Sequence, residues 1–204
     1  MLLKKLKLFV FPLVFIFLTT IIFFDNIHLL SKKNDSIINT YIQGAKEGNY
    51  GYGNPTNANN NINFEKLILG DILLGGWENC AYGRFSHAGL YIGNNMVLES
   101  YIDYGVTLNP VQHYTNYPEI AILRVNADKK VRQNAVDYAL KKENRMFFPL
   151  SFKNSQRYFN CTHIIWLAYN KQGVNLDENN DILVAPDDYY YSTLTKVLED
   201  KGQL

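Results

Sequence analysis

The chain has 204 residues, a formal net charge of +1, 47% hydrophobic residues and 19% charged ones. That length suits one domain of ordinary size with a sizeable core. Near-neutrality, with no basic stripe interleaved with aromatics, argues against nucleic acid or an acidic macromolecule as partner.

In chain order, Lys4, Lys5 and Lys7 come first, followed by an uncharged apolar run from Leu8 to Phe24 that Asp25 ends. Seventeen residues is the short end of the range for a membrane-spanning helix, about 17–25. Pro12 is tolerated in lipid, and the lysines orient the run with its N-terminus in the cytoplasm. No small-x-small cleavage site follows the run. Residues 1–24 therefore read as a membrane anchor or uncleaved signal, with a cleaved secretory signal as the alternative. Either reading puts the domain on the extracytoplasmic side, anchored or secreted. Residues 25–62 read as a polar Asn/Gly-rich tether with a short helix around Ile37–Ala45, and residues 63–204 as the domain.

Within the domain, Asp71–Leu74 predicts a short strand and residues 75–86 a loop. His87–Ile92 and Met96–Tyr101 predict a hairpin around Gly93-Asn94-Asn95. Glu119–Val125 predicts another strand. Asp128 caps an expected helix Lys129–Lys142, whose Val131, Ala135, Tyr138 and Ala139 share one face. Cys161–Gln172 predicts a second helix with Gly173 after its end, and Pro186 starts a last helical turn. The sum is an α+β layout, a small antiparallel sheet packed with helices.

Two stretches carry chemistry. Ser86-His87-Ala88-Gly89-Leu90-Tyr91-Ile92-Gly93 is a strand that starts on a histidine, and Phe159-Asn160-Cys161-Thr162-His163-Ile164-Ile165-Trp166 is a cysteine at the start of an apolar helix. Cys161 is the candidate nucleophile: a histidine can take its proton and a helix N-terminus stabilises a thiolate. A buried structural cysteine is the alternative. His87 is the candidate general base. His113, beside Tyr114, reads as solvated. His163 is two residues beyond Cys161 and points elsewhere, and His28 belongs to the exit of the N-terminal run. Glu99 is the candidate orienter of the imidazole, with Asp103 an inferior substitute. A two-residue turn would put Glu99 on the opposite face from His87, whereas a three-residue loop would put both on one face. The Cys161 backbone N–H is the candidate oxyanion donor, with Tyr158 and Tyr82 as candidates for a second. Cys80 complicates the picture, because two cysteines outside the cytoplasm suggest a Cys80–Cys161 disulfide that would consume the nucleophile. No metal or cofactor motif is present. The acidic stretch through Asp177, Glu178, Asp181, Asp187 and Asp188 lacks calcium-loop spacing. Asn34-Asp35-Ser36 and Asn160-Cys161-Thr162 match the glycosylation sequon, but a glycan on Asn160 would block the site.

Gly70-Asp71-Ile72-Leu73-Leu74 followed by the histidine strand resembles the core signature of NlpC-type cell-wall peptidases. In the standard members the cysteine helix precedes that signature; here Cys161 follows it. This order resembles the circularly permuted branch, the YiiX-like permuted papain-like amidases. Glu99-Ser100 with Gly105-Val106-Thr107-Leu108, and Ala185-Pro186-Asp187-Asp188, resemble further pieces, over roughly residues 64–198. The resemblance implies a permuted papain-like fold and a cysteine amidase or peptidase acting on cell-wall-type peptides or small amides. It makes Asp71 part of the signature, as a substrate contact or as a structural residue holding the loop before His87. The twelve-residue spacing of His87 and Glu99 also resembles lecithin:retinol acyltransferase-like enzymes, which carry a second histidine where Glu99 stands. A lipid-directed thioesterase or acyltransferase is therefore the alternative, and a disulfide-stabilised surface binding domain the non-enzymatic one. The expected partners are a peptide or small amide substrate, or a lipid in the alternative, and the membrane; the expected state is a monomer.

Overall fold

The computed structural model describes residues 2–26, 36–179 and 182–202. Two compact units divide the chain, Met1–Lys32 and Lys33–Leu204. The first holds one helix, α1 (Leu2–Asn26), with Pro12 inside it. The expected transmembrane segment is overturned: among the described residues no helix is long and apolar enough to cross a membrane. Length supplies the physical reason. The seventeen apolar residues reach about 26 Å at 1.5 Å per residue, against about 30 Å of hydrocarbon, and Lys4, Lys5 and Lys7 occupy the turns that would complete a span. The membrane contact expected through this segment falls with it. His28 and the sequon residues Asn34 and Asp35 lie outside the described residues, as does Asp181.

The second unit opens with α2 (Ile37–Lys46), capped by the Ser36 hydroxyl, which accepts from Asn39 N at 3.3 Å. Gly44 lets α2 close on the backbone of Ala81; a Cβ there would stand 2.6 Å from the Ala81 carbonyl oxygen. A six-stranded sheet follows: β1 (Ile72–Gly76), β2 (His87–Gly93), β3 (Met96–Tyr101), β4 (Gly105–Pro110), β5 (Glu119–Val125) and β6 (Thr195–Lys201), in spatial order β4-β3-β2-β1-β5-β6. Every pair is antiparallel. The α+β expectation holds, with a larger sheet than the sequence suggested: β4 closes one edge and β6 the other.

Strand alternation divides the core. Ile72, Leu74, Ala88, Leu90, Leu98, Ala121 and Leu123 face one side. There they pack under α3 (Lys129–Leu140), α4 (Cys161–Asn170) and α5 (Pro186–Tyr191). Leu73, Tyr91, Val97, Ile120 and Ile122 face the other, beneath Val111, Tyr114 and Tyr117. These last three recur every third residue through a 3-10 helix, Val111–Asn116, whose period is three. Asn60 holds that segment down by donating to the carbonyls of Tyr114 and Tyr117 at 3.1 and 2.7 Å.

The β2–β3 hairpin brings His87 and Glu99 to one face. Asn94 and Asn95 both take positive φ, 53° and 57°, which makes a two-residue turn between Gly93 and Met96. A two-residue turn alone would separate the two side chains. A register shift between Tyr91 and Gly93 inserts Ile92 as an extra residue, and this bulge restores the common face. Thus the expected three-residue loop is replaced by a turn plus a bulge.

Candidate active site

Glu99 sits on β3 with its carboxylate fully buried and surrounded by donors. Oε1 accepts from His87 Nε2 at 2.9 Å, the Tyr114 hydroxyl at 2.8 Å and the Tyr101 hydroxyl at 3.3 Å. Oε2 accepts from His113 Nε2 at 2.9 Å and Asn109 Nδ2 at 3.0 Å. Burial pushes the carboxyl toward its neutral form, but the bonds and charges of His113 and His87 outweigh it and hold Glu99 well below the usual carboxylate range. Gly89 on β2 provides the space, since a Cβ there would meet the Tyr114 hydroxyl at 2.5 Å and Glu99 Cγ at 3.1 Å.

An ionised carboxylate can only accept, so His87 Nε2 carries the proton facing Glu99 and Nδ1 is left for the other side of the ring. Burial would depress the imidazolium. Electrostatic interaction with the Tyr117 oxygen and the Cys161 sulfur, together with hydrogen bonds to Cys161 and Glu99, overcomes that and raises His87 well above its ordinary value. Tyr101 stacks on the ring, centroids 4.4 Å apart, and Tyr117 lies parallel at 6.3 Å. Gly75 accommodates Tyr117, whose ring would touch a Cβ there at 2.6 Å.

Cys161 is the first residue of α4 and is half-buried. Asn160 caps the helix, Oδ1 accepting from His163 N at 2.7 Å, while Nδ2 donates to Pro149 O at 3.0 Å. The Cys161 N–H therefore lies among the first-turn donors that lack an intrahelical acceptor. The charge of Cys161 bears on Tyr82, Tyr101, Tyr117 and Tyr189, each of which is raised above the ordinary tyrosine value, with burial the first cause.

The loop that delivers His87 is fixed from behind. Asp187, on α5, accepts the backbone N–H of Arg84 at 2.8 Å and of Phe85 at 2.9 Å. Arg84 in turn bonds Glu119 at 2.7 Å and grips Asp200 with two nitrogens at 3.0 and 2.6 Å. Gly83 is needed here: its φ is +143°, and a Cβ would collide with Asp187.

Of the lesser candidates, Tyr82 lies within electrostatic reach of Cys161 and donates its hydroxyl to Ser86 O at 3.0 Å. Tyr158 is exposed and its ring meets Phe148 at 6.1 Å. Asp71 stands apart from His87. It lies four residues before Gly75, the partner of His87 in the ladder, or about 13 Å along the strand. It grips Arg124 at 3.0 and 2.8 Å and accepts from Ile68 N at 2.9 Å, a structural tie at the far end of β1. Cys80 and Cys161 are both free; burial pushes the Cys80 thiol up to about 11. His163 is fully buried on α4, between Phe159 and Trp166. The sequence reading missed His113: the structure puts it on Glu99 rather than in solvent. The three-residue spacing of Val111, Tyr114 and Tyr117 was the available signal that this segment packs on the sheet.

Comparison with known proteins agrees with this architecture. Residues 67–188 match the family described as "Permuted papain-like amidase enzyme, YaeF/YiiX, C92 family". Among solved structures, the "Crystal structure of metalloprotein yiiX from Escherichia coli O157:H7, DUF1105" superposes with a TM-score of 0.56 at 14% identity, covering 66% of this chain and 98% of that one. At that identity the likeness is one of fold. No curated protein matches the chain. The match over more than half of the chain identifies it as a member of the permuted papain-like amidases of the YaeF/YiiX type, a family of cysteine amidases and peptidases.

Proposed function

We propose that this cysteine hydrolase cleaves amide bonds of peptides or small amides through Cys161, His87 and Glu99. The observation that carries the reading is the 2.9 Å bond from His87 Nε2 to Glu99, which leaves Nδ1 to the side where Cys161 bears on the ring. His87 Nδ1 takes the Cys161 proton, and the sulfur attacks the amide carbon. The oxyanion forms at the Cys161 N–H, with Tyr82 as second donor once its hydroxyl turns from Ser86 O. The His87 imidazolium then protonates the leaving amine, a thioester remains, and water deprotonated by the same nitrogen releases the acid. Glu99 stays ionised and stabilises the imidazolium.

The similar yiiX structure is titled a metalloprotein. Among the described residues here, no group of three or more His, Cys, Asp or Glu is arranged to hold a metal ion. The Glu99 oxygens already accept five donors, so no step is assigned to a metal.

One observation favours a second reading, an acyl-chain substrate. Met146, Phe148, Leu150 and Phe152 are exposed on the segment leading to α4, an apolar stretch suited to a lipid chain.

The test uses the full chain. Cys161 is alkylated across pH and the label mapped by mass spectrometry, in wild type and His87→Ala, alongside hydrolysis of peptide amides and of acyl esters. Cys161 should label faster near pH 7 than a free thiol, whose pKa is about 8.5, and slow in His87→Ala, while Cys80 stays unlabelled. Slow labelling indifferent to His87 would sink the reading. Hydrolysis of esters alone would transfer it to the acyl-chain substrate.

A further inference from the structure

Glu99 offers one negative charge to two imidazoles. His87 and His113 each stand 2.9 Å from one of its oxygens. They differ in access: His87 is buried, whereas the His113 side chain keeps 27% of its surface in solvent. We propose that His113 is a positioning residue for the hydrolytic site and makes it acid-sensitive. The proposal rests on the Cys161–His87–Glu99 reading above.

Neutral His113 donates Nε2–H to Oε2 and, with Asn109, fixes the rotation of the carboxylate, so that Oε1 stays aimed at His87. In acid a proton from solvent binds His113 Nδ1. Its ring becomes a second imidazolium on the same carboxylate, Glu99 remains ionised, and the charge that supports His87 is divided. His87 then returns its Nδ1 proton to the Cys161 thiolate. One proton is taken from solvent, one moves within the site, and the nucleophile is lost. The groups that could compensate do not. His113 faces Glu99 of β3 and the rings of Tyr101, Tyr114 and Tyr117 at 6.5, 4.6 and 6.3 Å, and burial keeps all three phenols in the neutral form. Glu99 meets Asn109 from β4, which carries no charge.

The experiment measures Cys161 alkylation against pH in the full chain, for wild type, His87→Ala, His113→Gln and His113→Ala, with thermal melts of each. His113→Gln keeps a donor for Oε2 but cannot be charged. Its acid limb should move down by about one pH unit, giving roughly tenfold faster labelling than wild type on that limb. His113→Ala loses the donor and should label more slowly at the plateau. In wild type, a nitrogen-15 pH series should show the His87 ring signals moving with two inflections, a readout independent of how the variants fold. Unmoved acid limbs in both variants, or a single inflection for His87, would overturn the proposal and leave the Cys161–His87 pair standing. Labelling indifferent to His87→Ala would remove both.

Discussion

Two buried histidines lie on opposite sides of the same sheet. His87 faces the carboxylate of Glu99 and is raised above its ordinary value. His163 lies among the helices, stacked between Phe159 and Trp166. Among the described residues neither of its ring nitrogens has a hydrogen-bond partner at bonding geometry, and burial lowers it to about 4 although the backbones of Lys153 and Tyr158 offset part of the effect. Burial acts on both rings in the same direction. The carboxylate separates them: where charge is anchored, the ring is a base that can hold its proton, and where it is not, the ring is an aromatic spacer.

The largest effect is expected from removing the anchor. Glu99→Gln should bring His87 down toward the behaviour of His163 and cut amide hydrolysis by about 10³-fold or more, with Cys161 alkylation near neutrality slowed in parallel. An unaffected rate would mean that Glu99 does not act on His87. Next is the opposite manipulation. His163 accepts a proton in the unfolded chain near 6.5 but in the folded chain only near 4. Between those values the unfolded state binds more protons, so this contribution to stability is present above about 6.5 and is lost as the pH falls toward 4, in total roughly 3 kcal/mol. His163→Leu should flatten that acid loss in urea melts at pH 4 to 7; an unchanged slope would show that the acid loss comes from other groups. The smallest effect is expected at the junction of the two regions. Asn160→Ala removes the cap of α4 and should cost about 1 kcal/mol, read as a lower denaturation midpoint, with Cys161 labelling slowed only modestly.

How far these features were legible depends on range. The Asp128 cap fixes α3 locally, Val131 N bonding its carboxylate at 2.8 Å, and β3 and β5 span the residues the sequence predicts, Met96–Tyr101 and Glu119–Val125. The start of α4 at Cys161 was readable from an apolar helix preceded by asparagine. β6 was not: Thr195–Lys201 contains four charged residues and is mostly exposed or half-buried, so an edge strand carries no apolar period to find. The bulge at Ile92 has no residue signature here. His113 looked solvated because its partner is fourteen residues away and is reached only when the 3-10 helix folds back over the sheet. The N-terminal run misled because its composition is right for a bilayer and its length is not.

The clamp by Asp187 has a consequence in time. A ribosome releases the chain from the N-terminus, so the loop before His87 and later Cys161 itself emerge while the acceptor for the amides of Arg84 and Phe85 is still unmade. Asp200, the grip on the Arg84 side chain, comes later still. A nascent chain therefore carries its histidine and thiol for some while without the brace that holds the histidine's loop, and the site is assembled only once Asp187 and Asp200 have emerged.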